Sequence, residues 1–348
     1  MSPGVLKIGE VEVKAGESVT IDLPMASLYS HAPMSLPVQV IRGRRDGPSL
    51  FVSAALHGDE INGVEIIRRV LRLPLLKKLR GTLIAIPIVN VYGFVSRSRY
   101  LPDRRDLNRS FPGSDRGSMA ARLAELFLTE IVDKCDYGID LHTGAVHRDN
   151  LPQIRANLDD PATSRIAHAF HVPVLLNSNI RDGSLREVAA ERGIPVLLYE
   201  AGEALRFDER SIRAGVKGLI GVMRVLGMLP AASRARKPAE PLVARASTWV
   251  RAGRSGILRM TSALGARVRR HEVIGVIADP FGQQELEVSA NASGIIIGRT
   301  NLPLVNEGEA IFHIARFESA KVAEDTVEAF QADEIPVDPV LEEEPPIV

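Results

Sequence analysis

Residues 50–73 read LFVSAALHGDEINGVEIIRRVLRL. The first seven, Leu50 to Leu56, are an apolar run of the length and character of a strand buried on both faces. From Glu60 to Leu73 the pattern turns into that of an amphipathic helix. The same alternation continues along the chain. Apolar runs recur at TLIAIPIV (82–89), YGIDL (137–141), VPVLL (172–176) and IPVLLY (194–199), and helical patterns at Ser118–Val132 and Ser211–Leu226. Strands alternating with helices predict an α/β fold, a mixed, largely parallel sheet flanked by helices, over residues 49–229.

On either side of this block the pattern changes. Residues 1–48 alternate in β fashion, with Val11 and Val13, then Val19, Ile21 and Leu23, between Gly and Pro breaks. They read as a β-rich lead-in. PAASRARKPAEP (230–241) is polar, basic and proline-punctuated, a linker. Residues 242–316 return to short apolar runs between glycines, in two half-repeats that resemble the flattened barrel-sandwich of lipoyl and biotinyl carrier domains. A carrier presents a modifiable lysine at its tight turn. The matching turn here, 288–292, has none, nor does the stretch from Arg251 to Arg316. A small all-β C-terminal domain without a swinging arm is therefore expected, available for packing or for roofing a site.

Composition narrows the function classes. With 348 residues, 45% hydrophobic and 25% charged, the chain is of ordinary globular make-up and long enough for two domains. No run approaches the ~18 apolar residues of a membrane span, and the N-terminus has no signal-peptide pattern. Cys135 is the sole cysteine, which suits a reducing cytoplasm. The net charge of zero conceals an asymmetry: residues 317–348 hold ten acidic side chains against Lys321 alone. That leaves 42 basic and 33 acidic residues in 1–316. The acidic tail reads as a solvated, partly disordered extension. A body with surplus arginine suits small anions, while 5% aromatics offers little for stacking nucleic acid bases. Neither nucleic acid nor membrane is an expected partner, and homo-oligomerisation is left open.

Four motifs carry chemistry. In ALHGDE (55–60), His57 follows a buried strand and Glu60 opens the next helix, so imidazole and carboxylate can meet on one metal from a single turn; Gly58 frees the backbone to make it. In DLHTG (140–144), a second histidine, His142, again ends a buried strand. Ligands bind in open α/β sheets just beyond the carboxyl ends of strands. His57, Glu60 and His142 are thus the two-imidazole, one-carboxylate set of a catalytic zinc with a position left for water. Asp140 either packs beneath the sheet or orients one of these ligands. In DLNRSFP (106–112), Asn108 and Arg109 suit capture of a carboxylate, with plain surface solvation as the alternative. In LYEAGE (198–203), Glu200 stands directly at the end of a buried strand, a place suited to a general base.

HGDE, DLNRSFPG, DLHTG and YEAG, in this order, resemble the succinylglutamate desuccinylase/aspartoacylase family, zinc-dependent N-acyl amino acid deacylases related to zinc carboxypeptidases. The resemblance spans about Pro48 to Ile314. It implies a zinc-carboxypeptidase-like fold and one Zn2+ per chain on His57, Glu60 and His142. It further implies substrate carboxylate on Asn108 and Arg109, and Glu200 as the catalytic carboxylate. A family arginine that polarises the scissile carbonyl falls on Arg99, with Arg97 as the alternative. A second substrate arginine falls on Arg186 or Arg192. The expected function is hydrolysis of the amide bond of a small N-acyl amino acid. The alternatives are a zinc carboxypeptidase-type peptidase and, from another class, a catalytically inactive metal-binding or scaffold protein. His147 is a candidate for the pocket wall, whereas Trp249 is expected to pack in the C-terminal barrel.

Overall fold

The structure is a computed structural model that describes residues 5–178, 182–231, 240–317 and 320–332. The lead-in opens with an isolated hairpin, β1 (Leu6–Ile8) and β2 (Val11–Val13). Two antiparallel strands follow, β3 (Ser18–Pro24) and β4 (Ser35–Arg42). Along β4 the side chains of Leu36, Val38 and Val40 are buried and those between them less so, the period-two signature of a strand with one covered face.

β5 (Arg45–Ala54) carries the decisive apolar run. Leu50, Val52 and Ala54 enter one core and Phe51 the opposite one. That is why the run is buried at every position rather than at alternate ones, and apolar at all but Ser53. Helix α1 (Asn62–Leu71) returns the chain to β6 (Arg80–Ile86). After α2 (Val91–Ser96), α3 (Met119–Glu130) covers the Phe51 face. β7 (Tyr137–Gly144) and β8 (Arg148–Ala156) come next, then α4 (Pro161–Ala169), β9 (Val174–Asn177), α5 (Leu185–Glu191), β10 (Val196–Glu203) and α6 (Glu209–Val225). Helices α1, α4 and α6 cover the face that holds Leu50 and Val52. Asp208 caps α6 by accepting from the Ser211 N–H at 2.9 Å.

Parallel pairing runs through the centre of the sheet, in the order β10-β7-β5-β6, and recurs where β9 joins β8 and where Leu242–Ala244 joins β9. Both flanks of this core are antiparallel, β4 on β6 and β8 on β10, so the sheet is mixed, as expected, but with less parallel pairing than expected. The unexpected element is β8. Its sequence, RDNLPQIRA, holds charges, an amide and a proline where a strand usually has apolar or β-branched residues.

The C-terminal segment supplies β11 (Leu242–Ala244), β12 (Ala246–Arg251), β13 (Gly256–Met260), β14 (Arg267–Val268), β15 (Val273–Ala278), β16 (Glu285–Ser289), β17 (Gly294–Thr300), β18 (Leu304–Val305) and β19 (Ala310–Arg316). Strands β12, β19 and β17 extend the main sheet through antiparallel pairing of β17 with β8. A second sheet, β16-β15-β13-β18, packs against them, with Leu258, Ile274 and Ile277 meeting Val250, Phe312 and Ile314. Residues 232–239 of the expected linker lie outside the described residues. So does 333–348 of the acidic tail. Within that tail, α7 (Ala320–Ala332) is helical and buries Val327 beside Ile295 and Ile297, while Asp325 and Glu328 are exposed. No helix among the described residues is long and apolar enough to cross a membrane.

Candidate active site

β5 ends at Ala54, and the chain turns sharply through Ala55, whose φ of 49° is the left-handed region that L residues seldom occupy. This turn brings His57 and Glu60 back over the sheet before α1 begins. Gly58 is essential for a different reason from the one expected. Its φ is not positive; instead a Cβ there would stand 1.9 Å from the carbonyl carbon of Gly93 in α2. His142 and Asp140 lie two apart on β7 and share one face of the sheet.

The three expected ligands converge. His57 Nδ1 lies 2.7 Å from Glu60 Oε1 and His142 Nδ1 2.7 Å from Glu60 Oε2. The ring centroids are 4.9 Å apart. One donor atom from each residue fits within a span of 4.8 Å, and all three residues are buried. The outer nitrogen of each ring is held by a carboxylate, His57 Nε2 by Asp106 at 3.1 Å and His142 Nε2 by Asp140 at 2.6 Å. Ser53 Oγ in turn donates to Asp140 at 2.7 Å. Of its two expected roles, Asp140 therefore takes the orienting one.

Electrostatics follow from this crowding. Burial disfavours the charged form of all three groups. At Glu60 the two imidazoles outweigh burial and hold the carboxyl well below the usual range. Burial lowers His57 and His142, yet their carboxylate neighbours, Glu60 with Asp106 and Asp140 with Glu60, bring both above the ordinary imidazole value. The site thus favours positive charge. Two imidazoles and a carboxylate with a vertex left open are the donor set of a catalytic zinc, and a carboxylate behind each histidine is the usual support. The residues fit a divalent cation.

A cleft of about 270 Å³ opens over the site. Glu200 lines it from β10, in register with His142 on β7. Asn150 Nδ2 donates to Glu200 Oε2 at 2.5 Å, and Arg155 Nε lies 3.5 Å from Oε1. Asn108 and Arg109 line the cleft as well. The Asn108 side chain is fixed by accepting the Leu185 N–H at 3.0 Å, and Arg109 Nη1 donates to the Asn108 carbonyl. Arg99 reaches Glu60 at 3.3 Å and Asp106 at 3.0 Å. Its alternative, Arg97, ends α2 in the left-handed region and is not part of the wall. Arg186 lines the cleft, whereas Arg192 pairs with Asp133 at 2.8 Å elsewhere.

Two expectations change. His147 is half exposed, lies 3.8 Å from Glu203 and does not line the cleft. Trp249 does line it, stacked on His313 with centroids 4.2 Å apart and with the Arg148 guanidinium 5.4 Å from its ring centre. Sequence reasoning passed over Arg148, Asn150 and Arg155, all on β8, and left Asp106 without a role. The available signal was the density of polar groups in a segment too short and too close to two strands to be a free loop.

Residues 46–226 match the family model described as the succinylglutamate desuccinylase/aspartoacylase catalytic domain. The chain is 28% identical over 294 residues to N-alpha-acetyl-L-2,4-diaminobutyric acid deacetylase of Halomonas elongata, covering 80% of this chain and 85% of that protein. Among solved structures, the product-bound ectoine utilization protein EutE (DoeB) from Ruegeria pomeroyi superposes with a TM-score of 0.78 at 25% identity, covering 86% of this chain and 95% of that one. A succinylglutamate desuccinylase/aspartoacylase from Rhodobacter sphaeroides does so with a TM-score of 0.77 at 26% identity, covering 87% and 95%.

Proposed function

The chain belongs to the succinylglutamate desuccinylase/aspartoacylase family, and from that premise we propose that it is a zinc-dependent hydrolase of the amide bond in a small N-acyl amino acid. The observation that carries this reading is the convergence of His57, Glu60 and His142 within 4.8 Å at the floor of a cleft that also holds Glu200, Asn108 and Arg109. His57, Glu60 and His142 would hold one zinc ion. When bound, zinc lowers the pKa of water toward ~7 and polarises a carbonyl oxygen.

The protein's own groups do the rest. Glu200 takes the proton of the attacking water and returns it to the departing amine. Asn108 and Arg109 clamp the substrate carboxylate, so that the scissile bond is presented in reach. Arg99, fixed between Glu60 and Asp106, stabilises negative charge growing on the carbonyl oxygen. Residues 242–316 act as a carrier-type barrel without its lysine, closing the cleft through Trp249 against long chains. A cytoplasmic location suits a chain with Cys135 as its one thiol.

The curated relative is named for removing an acetyl group from a diamino acid, which makes N-acetyl amino acids the first substrates to test. Purified zinc-loaded protein, assayed for amine release, should turn over members of a panel of N-acetyl and N-succinyl amino acids and leave dipeptides intact. Hydrolysis of dipeptides alone would favour the peptidase. Inertness toward the whole panel, with a zinc content far below one per chain, would favour the scaffold.

A further inference from the structure

Strands β8 and β10 run antiparallel, with Leu198 opposite Arg155 and Glu200 opposite Gln153. A regular ladder would next set Gly202 against Leu151, but the register shifts and Gly202 stands opposite Asn150. Leu151 and Pro152 thus occupy the place of one residue, a β-bulge. Proline, with no N–H to give to a ladder, is tolerated at such a point. The shift has a chemical result. In an unbulged strand Asn150 would face away from Gln153 and Arg155, three and five positions on. The bulge turns it to their side, the side on which Glu200 and its neighbour His142 lie.

Both oxygens of Glu200 meet donors from this one strand, Oε2 the Asn150 amide at 2.5 Å and Oε1 Arg155 Nε at 3.5 Å. Asn150 is buried, and Gly298 of β17 lies opposite it, where a Cβ would come within 2.8 Å of Asn150 Oδ1. Arg155 Nε is buried and makes no hydrogen bond, which leaves Glu200 as its counter-charge. We propose that Asn150 and Arg155 are positioning residues for Glu200, and that the bulge at Leu151–Pro152 is the device that aims them. The inference rests on the reading of Glu200 as the general base. An amide and a guanidinium fixed on the two oxygens keep the carboxylate from rotating toward the nearby cations of the cleft, so that its free lone pair faces the water it deprotonates.

The test is a set of single and double variants on zinc-loaded enzyme with an N-acetyl amino acid that the wild type cleaves. Glu200→Gln is measured first. Asn150→Leu, which keeps volume and removes the donor, should lower kcat by ~10–100-fold, the scale of a lost hydrogen bond to a charged group. Arg155→Gln, which removes the counter-charge 3.5 Å from Glu200, should lower it by about 10-fold. KM and zinc per chain should stay at wild-type values. If Asn150→Leu does not fold, Asn150→Asp keeps the shape and should show the same loss. In combination with Glu200→Gln, neither substitution should slow the enzyme further, because each acts through Glu200.

Losses that multiply in the double variant would overturn the inference. So would a raised KM at unchanged kcat for Arg155→Gln, since Arg155 would then bind substrate. If Glu200→Gln is inactive while Asn150→Leu and Arg155→Gln match wild type, the inference alone fails. If Glu200→Gln keeps near wild-type turnover, it is the reading of Glu200 as the base that fails.

Discussion

Glu60 engages both histidines at once, one on each carboxylate oxygen. Its removal should therefore undo the site more completely than loss of either ring. For Glu60→Gln and His142→Ala we expect bound zinc, measured by elemental analysis after dialysis, to fall far below one per chain. Glu200→Gln should behave in the opposite way. Turnover should fall by ~10²–10⁴, as for a general acid–base group, with zinc retained at one per chain. Near wild-type turnover would remove Glu200 from the mechanism. These residues were readable from sequence because each stands where an apolar run meets a glycine turn, and a charged group in that position has few structural uses. Asp106 was not readable as a partner of His57. Its contact spans 49 positions, and nothing local in DLNR points to it.

At the scale of elements, the turn after β5 and the start of α2 depend on each other through Gly58 and Gly93. In Gly58→Ala the new methyl group would collide with backbone, which cannot swing aside as a side chain could. Overpacking of this kind costs ~1–3 kcal/mol. Urea unfolding should show a lower midpoint at unchanged slope, and an unchanged midpoint would mean that the α2 junction is loose. Trp249, on β12, tests the contribution of the C-terminal segment to the cleft. Trp249→Ala should raise KM for small substrates and admit bulkier acyl groups, whereas unchanged kinetics across the panel would exclude it from the wall that substrate meets. The helices and central strands were legible because burial on one or two faces dictates their hydrophobic period. β8 was not, since the partners of its polar residues are distant in sequence, Glu200 for Asn150 and the Ile297 carbonyl for Gln153.

The molecule as a whole is joined where β8 meets β17, and Asp149 sits at that seam opposite Arg299. Burial, with Asp208 and Glu203 adding to it, pushes the Asp149 carboxyl up to about 6, and Arg299 only partly offsets this. Its unfolded value is about 3.9. The folded state therefore binds more protons between these values, and stability falls as pH rises from about 4 to about 6. Asp149→Asn should remove that penalty. Urea unfolding at pH 7 should show a gain of up to ~2 kcal/mol, shrinking toward zero near pH 4. An equal gain at both pH values would assign the effect to packing rather than to the charge. Saturating zinc should likewise raise the unfolding midpoint, because a ligand that binds only the folded state adds to its stability.

Runs such as LFVSAAL and YGIDL specified the central strands, and the residues at their ends named a candidate cation site, because local periodicity records how much of each face is covered and a strand's end is where its next side chain must leave the core. The assembly of that site was a matter of three dimensions. Only sheet order sets His142 beside Glu200, only the bulge in β8 turns Asn150 toward it, and only the pairing of β17 with β8 carries β12 and Trp249 to the cleft. Register, bulges and long-range pairing depend on partners far along the chain, and a local pattern holds no trace of them.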